Sequence, residues 1–298
     1  MNLAPIALFT YNRLWHTRQT VEALIKNELA QRSDLIIYAD GPQNDTARNS
    51  VAEVRKYIRT IDGFKSIRIV ERKNNAGLAN AIITGVSELI DEFGRVIVME
   101  DDLVSSPHLL KFMNDGLAYY EAEDRVVSIH AYTYPLKEKL PETFFLKGAD
   151  CWGWATWKRG WDVFEPDGSK LLAQIKAKKL AKCFDMDGVH PYTKMLKDQV
   201  TGKNNSWAVR WYASAFLSNK LTLYPGRCLV RNIGTDSSGT HCENVNYYDV
   251  SLADQAVQIG GIDIVESKAA RKAFQKYMKS TRRKQIKSRI ERIVDYFL

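Results

Sequence analysis

Four short apolar segments in the first hundred residues constrain this chain more than any other feature: APIALFTY (4–11), DLIIYAD (34–40), SIRIVER (66–72) and RVIVMED (95–101). Each is rich in β-branched residues and apolar at successive positions, the pattern of a strand buried on both faces. Helix-like stretches separate them, at residues 17–31, 46–60 and 78–93. Strand and helix in alternation predict an α/β fold, a parallel sheet with right-handed crossovers and helices on both faces. Ligands in such sheets bind outside the carboxyl ends of the strands. The chemically distinctive residues fall there: Asn12 and Arg13 after the first strand, Asp40 after the second, Arg72 and Asn75 after the third, and Glu100, Asp101 and Asp102 after the fourth.

Beyond the acids, Ser106-Pro107 reads as an N-cap followed by proline at the first helical position, opening a helix to about residue 121. Residues 125–132 and 143–148 read as two further strands. From Asp150 the texture changes: DCWGWATWKRGW holds four of the seven tryptophans and SWAVRWYASAFL two more. No linker, repeat or low-complexity segment intervenes, so the second half is expected to lie against the first.

Composition excludes several classes. With 45% hydrophobic and 26% charged residues the chain is globular. No run approaches the roughly 18 to 20 apolar residues of a membrane span, and the start lacks a leader pattern. Cys151, Cys183, Cys228 and Cys242 show no CxxC spacing, so free thiols in a cytoplasmic, reducing compartment are expected. The net charge of +8 is concentrated: residues 268–298 hold eleven Lys or Arg against two acids, leaving the preceding 267 residues at −1. A nucleic-acid enzyme surrounds its cleft with bases, so no nucleic-acid partner is expected.

Side chains alternate along a strand, which sets Glu100 and Asp102 on one side and Asp101 on the other. Two same-side carboxylates suit a hard divalent cation; the alternative is that they face the dipole of the following helix. No G-x-x-x-x-G-K-[ST], G-x-G-x-x-G or H-E-x-x-H occurs, so a P-loop, a dinucleotide fold and a zinc site find no support. An acid for a base or ribose (Asp40), cations for phosphate (Arg13, Arg72) and carboxylates for a metal together fit a nucleotide-diphosphate donor.

These residues resemble the GT-A fold glycosyltransferases over about residues 4–245. The likeness is closest to inverting N-acetylglucosaminyltransferase I-type enzymes and to glycosyltransferase family two. IALFTYNR is similar to that group's first strand and its nucleotide-contacting turn, YADG to the strand whose Asp reads uracil, VMEDDLVSSPHLLKF to its DxD-type motif, and NNAGLANAI to an N-x-G segment. The resemblance implies a divalent metal, Mn2+ or Mg2+, on Asp102. It implies donor contacts, to a UDP-sugar, from Thr10, Asn12, Arg13, Asp40, Arg72, Asn75, Gly77, Glu100 and Asp101. It also divides the chain into a nucleotide-sugar-binding half (1–105), an acceptor-binding and catalytic half (106–262) and a basic helical tail (263–298). GWATW is similar to the group's acceptor segment, which implies that Trp152, Gly153 and Trp154 meet the acceptor, with Trp207 and Arg210 nearby; core packing and an ordinary ion pair are the alternatives for the tryptophans and the arginine.

One departure stands out. The relatives place their catalytic base between tryptophans, where SWAVRW here has no acid. Asp150, Asp198 and Asp236 are the candidates, Asp150 preferred. NIGTDSSGTHC (232–242) reads as a loop over the site, with His241 either at the metal or an ordinary surface residue. In the tail, Phe274, Met278, Ile286, Ile290, Ile293 and Phe297 recur at helical spacing among the bases. Such a helix lies on an anionic membrane surface or packs on its own body. The membrane alternative implies a peripheral enzyme on the inner face with a lipid-linked glycan acceptor. The expected function is thus an inverting, metal-dependent glycosyltransferase of surface polysaccharide synthesis. The alternatives are a non-catalytic glycan-binding or scaffold subunit and, third, a metal-dependent nucleotidyltransferase.

Overall fold

Three of the four apolar runs, at residues 6–10, 34–39 and 95–100, become buried strands because helices cover both of their faces; the fourth, at 66–71, is a sheet-edge strand with Ser66 and Arg68 exposed, so the expectation of a buried strand fails there. The computed structural model describes residues 3–236 and 246–297. Its elements alternate: β1 (Ile6–Thr10), α1 (Leu14–Ile25), β2 (Asp34–Ala39), α2 (Arg48–Ile58), β3 (Ser66–Glu71), α3 (Leu78–Phe93) and β4 (Arg95–Glu100). β1 pairs in parallel with both β2 and β4, and β2 with β3. The chain therefore moves outward from β1 to β3 and then returns to set β4 on the other side of β1. This reversal is a topological switch point, where a crevice opens at the carboxyl edge of the sheet.

The second half adds β5 (Leu103–Ser105), α4 (Leu109–Tyr119), β6 (Val126–His130), β7 (Thr143–Lys147), β8 (Trp154–Trp157), α5 (Lys158–Trp161), α6 (Gly168–Ala177), α7 (Ala181–Phe184), α8 (Tyr192–Val200), α9 (Trp207–Leu217), β9 (Leu221–Pro225), β10 (Val230–Asn232) and α10 (Lys268–Phe297). One sheet of eight strands results, in the order β3-β2-β1-β4-β8-β6-β9-β7, and β5 and β10 form a separate antiparallel ribbon. β8 runs antiparallel to both of its neighbours, β4 and β6. The helix after the acids starts two residues later than the Ser-Pro pair implies. Ser106 Oγ donates to the Ala253 carbonyl (2.7 Å) and accepts from the His108 N–H (3.3 Å), so Ser106 and Pro107 form the turn ahead of α4.

Strand alternation sorts the core into two layers. Ile6, Leu8, Ile97 and Met99 pack with Val21, Leu24, Val54 and Phe112 of α1, α2 and α4. Ala7, Phe9, Val96 and Val98 pack with Ile82, Val86 and Leu89 of α3, with Trp154 of β8 and with Trp207 and Trp211 of α9. The basic C-terminal segment is docked as well. Ala270, Phe274 and Met278 are buried against Phe144, Leu146 and Tyr224, while Arg271 pairs with Glu266 (3.2 Å) and Asp187 (3.3 Å). The side chains of Ile286, Ile290, Ile293 and Phe297 lie outside the described ones. Among the described residues no helix is long and apolar enough to cross a membrane. Cys151, Cys183 and Cys228 are free thiols, and Cys242 lies outside the described residues.

Candidate functional site

β4 ends at Glu100 and the chain turns at once into β5, and of the neighbouring acids Asp102 acts most strongly on Glu100. Asp101 and Asp102 converge on Arg13, the residue before α1. Arg13 Nη2 donates to Asp101 Oδ1 and to Asp102 Oδ2, the latter at 2.8 Å. Backbone contacts pin the turn: Thr20 Oγ1 donates to the Asp101 carbonyl (2.9 Å), and the Ile233 N–H donates to the Asp102 carbonyl (2.9 Å). The glycine-rich stretch after β10 thus begins directly over the acids. A Cβ at Gly234 would fall 2.2 Å from Asp102 Oδ2 and 2.9 Å from Arg13 Nη1, so glycine is required for this approach. Asp236 follows and pairs with His16 at 3.1 Å. His241 lies outside the described residues.

The charges in this crevice do not balance. Burial alone would lower the Arg13 pKa, but the adjoining Asp101 and Asp102 outweigh it and raise the value. Burial, then Asp102 and Asp101, push Glu100 up to about 8 against the pull of Arg13. Burial also pushes Asp101 up to about 6, with Arg13 opposing. Glu100 is then largely protonated at neutral pH, and Asp101 and Asp102 around one guanidinium leave one net negative charge among hard oxygen donors, a setting compatible with a divalent cation. Among the described residues no three His, Cys, Asp or Glu side chains are pre-arranged around one point. Asp102, with 14% of its side chain exposed against 6% for Asp101, is the more open to such an ion.

On the other side of β1, Asp40 is buried and organises the loop before α3. Its oxygens accept from the N–H groups of Gly41 (2.9 Å), Ala76 (2.9 Å) and Gly77 (3.0 Å). Asn75 Nδ2 returns the tie by donating to the Gly41 carbonyl at 2.8 Å. Thr10 and Asn12 line the same edge, and the buried Thr10 Oγ1 has no hydrogen-bond partner among the described residues. Arg72 departs from expectation: its Nη2 lies on Thr84 Oγ1 (2.5 Å), well inside α3, and does not join Arg13.

Most of the expected acceptor residues are core. Trp154 is fully buried, stacked on Trp207 at 5.6 Å and flanked by Trp161 and Trp211 at 5.7 Å. Trp207 is 4% exposed, and Gly153 is buried against Val230 and Ala131. Neither indole has a free face for a sugar, because the β8 alternation turns Trp154 toward α9. Arg210 is also buried and donates to the carbonyls of Ser206 (3.2 Å) and Pro166 (2.9 Å), so it holds backbone and not a ligand. Asp198 pairs with Lys194 one turn away on α8, apart from the acids. Trp152 alone of this set is half-buried, edge-on to Tyr132 (4.8 Å) and Tyr248 (5.6 Å).

Asp150 has a different setting. β8 pairs with β4 through Trp154 and Val98, which carries the preceding residues out past the carboxyl edge of β4. Cys151 spans the gap: burial raises its thiol pKa, and Asp150, Glu100 and Asp102 all add to the rise. The Asp150 Oδ1 accepts its neighbour's N–H (2.8 Å), and Oδ2 accepts from the Tyr224 hydroxyl (3.4 Å). Behind it His130 Nε2 stands 3.7 Å away, fully buried, with neither ring nitrogen hydrogen-bonded among the described residues. Asp150 opens on a cavity of about 140 Å³ walled by tyrosines. A larger hollow, about 450 Å³ beside Arg32, Lys65 and Arg95, lies at the opposite edge of the sheet and holds none of these groups. Sequence reasoning missed His130, Gly234 and the tyrosines; only the glycine-rich character of residues 232–242 signalled one of them.

A family model described as glycosyl transferase family 2 matches residues 6–169. No curated protein matches the chain. Solved structures that match include the mannosyltransferase PcManGT from Pyrobaculum calidifontis in complex with GDP-Man and Mn2+, with 14% identity over 44% of this chain and 36% of that one, at TM-score 0.34. S. aureus TarS matches with 15% identity over 49% of this chain and 24% of that one, at TM-score 0.33. A UDP-glucose pyrophosphorylase complexed with UDP-glucose matches with 13% identity over 75% of this chain and 90% of that one, at TM-score 0.35. The matches thus cover 36% of the mannosyltransferase and 24% of TarS, less than two thirds of either.

Proposed function

Because the chain belongs to glycosyl transferase family 2, we propose that it moves one sugar from a nucleotide-diphosphate donor, a UDP-sugar, to a glycan acceptor with inversion at the transferred carbon. The observation that carries this reading is the meeting of Arg13, Asp101 and Asp102 at the switch point between β1 and β4, with Asp150 farther along the same edge. Such a crevice has a cation for a diphosphate at one end and a carboxylate for a hydroxyl at the other. Residues 1–105 then serve the donor and residues 106–262 the acceptor.

In this reading Asp40, Asn75 and Gly77 act together: the Asp40 carboxylate fixes the loop against which the nucleoside lies, with Thr10 and Asn12 at its rim. Arg13 turns part of its guanidinium to the diphosphate while Asp101 keeps it in place. Asp102, with oxygens of the diphosphate, would hold Mn2+ or Mg2+, which when bound neutralises charge on the leaving group. Asp150 takes the proton of the acceptor hydroxyl as the new C–O bond forms and the bond to the diphosphate breaks. Asp236, bound to His16, stays on the donor side.

The tail supports a peripheral, cytoplasmic setting. Lys279, Arg282, Arg283 and Lys284 are exposed on α10, and anionic lipid attracts each nearby base by about 1 kcal/mol. Phe274 and Met278 are taken up by the body, so the attraction is electrostatic and the acceptor a lipid-linked surface glycan at the inner face. The donor half is tested by thermal shift with nucleoside diphosphates and manganese: a ligand at 100 times its Kd stabilises by about 2.7 kcal/mol. A shift for UDP in the parent chain that disappears in Asp102→Asn is expected; no shift for any nucleotide would overturn the reading.

A further inference from the structure

We infer that the cavity beside Asp150 is the subsite for one uncharged pyranose at the end of the acceptor, and that the C-terminal helix is one of its walls. The inference rests on the glycosyl-transfer reading above but on a surface distinct from the donor crevice. The walls come from distant parts of the chain: Tyr134 after β6, Tyr192 opening α8, Tyr224 on β9, and Phe274 and Met278 on α10. Ring planes meet at close range, Tyr134 edge-on to Phe274 at 5.0 Å and Tyr224 edge-on to Phe274 at 5.8 Å. α10 therefore does more than complete a core; without Phe274 and Met278 the cavity has no far side.

The polar groups are those a sugar needs. The Tyr224 hydroxyl is engaged with Asp150, whereas those of Tyr134 and Tyr192 have no hydrogen-bond partner among the described residues. A pyranose presents an apolar C–H face rimmed by hydroxyls, and this cavity presents aromatic rings among aliphatic and methionine side chains, with tyrosine hydroxyls and one carboxylate among its polar groups. Amphipathic aromatic side chains suit such a surface, apolar in body and polar at the tip. Size limits the occupant: about 140 Å³ is well below the roughly 300 Å³ at which pockets begin to take drug-sized ligands, so one ring enters and not a chain. Charge limits it too. Glu266 accepts the Lys147 backbone N–H (3.2 Å) and pairs with Arg271 (3.2 Å), and the Lys147 ammonium sits over the Phe216 ring at 4.7 Å. Apart from Asp150, the charged groups on the rim are thus committed elsewhere, which leaves a neutral sugar as the fitting ligand.

Saturation-transfer NMR on the full chain tests this, with the methyl pyranosides of glucose, galactose, mannose and N-acetylglucosamine as probes. At least one is expected to receive saturation from the parent protein. Met278→Trp, which fills the cavity from α10, should abolish the signal. Tyr192→Phe, which removes one hydroxyl and keeps the ring, should weaken binding about tenfold, near the upper worth of a single neutral hydrogen bond; it also serves if the tryptophan variant does not fold. No transfer to any of the four probes, or equal transfer in both folded variants, would overturn the inference. The nucleotide thermal shift separates the two readings: sugar binding without a nucleotide shift sinks only the donor assignment, and a nucleotide shift without sugar binding sinks only this one.

Discussion

Trp154→Ala is expected to destabilise the fold by about 4 kcal/mol, the value anticipated for a core indole and not for a sugar platform. The figure follows from its setting. A buried tryptophan removes 150–250 Å² from water, and at roughly 25 cal/mol per Å² that is about 5 kcal/mol. The Trp154 indole N–H is buried with no hydrogen-bond partner among the described residues, so truncation also deletes an unsatisfied donor and recovers about 1 kcal/mol. At about 2.1 cal/mol/K of unfolding entropy per residue, a chain of this length melts about 6 °C lower for that loss. Trp154→Phe sharpens the test, because it keeps an aromatic ring beside Trp207 and Trp161 while removing the orphaned N–H; about 1 kcal/mol is expected. Urea unfolding followed by far-UV circular dichroism reads both variants, since tryptophan fluorescence is itself altered. An unchanged midpoint for Trp154→Ala, with sugar binding lost, would refute the core assignment.

Three further outcomes follow from the site. Asp150→Asn should lower transfer by about 10²–10⁴-fold with the UDP thermal shift retained; full transfer in that variant removes Asp150 as the base. Gly234→Ala drives a methyl group into Asp102 and Arg13, so overpacking should cost about 1–3 kcal/mol and isothermal titration should show weakened UDP–manganese binding; parent-like affinity would show that the loop yields. Burial holds the His130 pKa below its ordinary 6.5 against the opposing pull of Asp150, so the unfolded chain takes up this proton first as pH falls. The contribution of this group to stability should therefore decline from about pH 7 downward toward the folded pKa, by up to about 1.4 kcal/mol per pH unit. His190 is lowered in the same sense, whereas Glu100 and Asp101, raised in the folded chain, contribute the opposite slope, so the readout from melting curves is the stability difference between the parent and His130→Gln, which should move in favour of the variant as pH falls from 7 to 5; a constant difference would place the titration elsewhere.

Strands β1, β2 and β4 were legible because strands covered on both faces must be apolar throughout, and RVIVMED or DLIIYAD can be little else; β3, half-exposed at the sheet edge, was legible from its β-branched residues alone. β8 was not: WATW is short, its tryptophans carry no period of two, and its partners β4 and β6 are remote in sequence. The acids were legible as a candidate site, but the convergence of Asp101 and Asp102 on Arg13 was not, since it arises at a turn after the strand ends. Arg72 misled for a related reason. A residue type at a strand end fixes where the backbone is, whereas a long guanidinium can reach back along α3 to Thr84. The tyrosine cavity left no trace in spacing, because Tyr134, Tyr192 and Tyr224 come from a loop, a helix and a strand that meet only in three dimensions.

β8 has a mechanical consequence. Its antiparallel ladders to β4 and β6 stitch the strands of the first hundred residues and those of the second half into a continuous hydrogen-bonded plate, with no seam among the described strands about which one half could swing on the other. The separation between the Arg13 pair and Asp150 is then a built-in gauge, set by the strand register and not by a hinge. Under the proposed function, two substrates brought to this edge would meet at a fixed span, with only the loops above it left to adjust to their size.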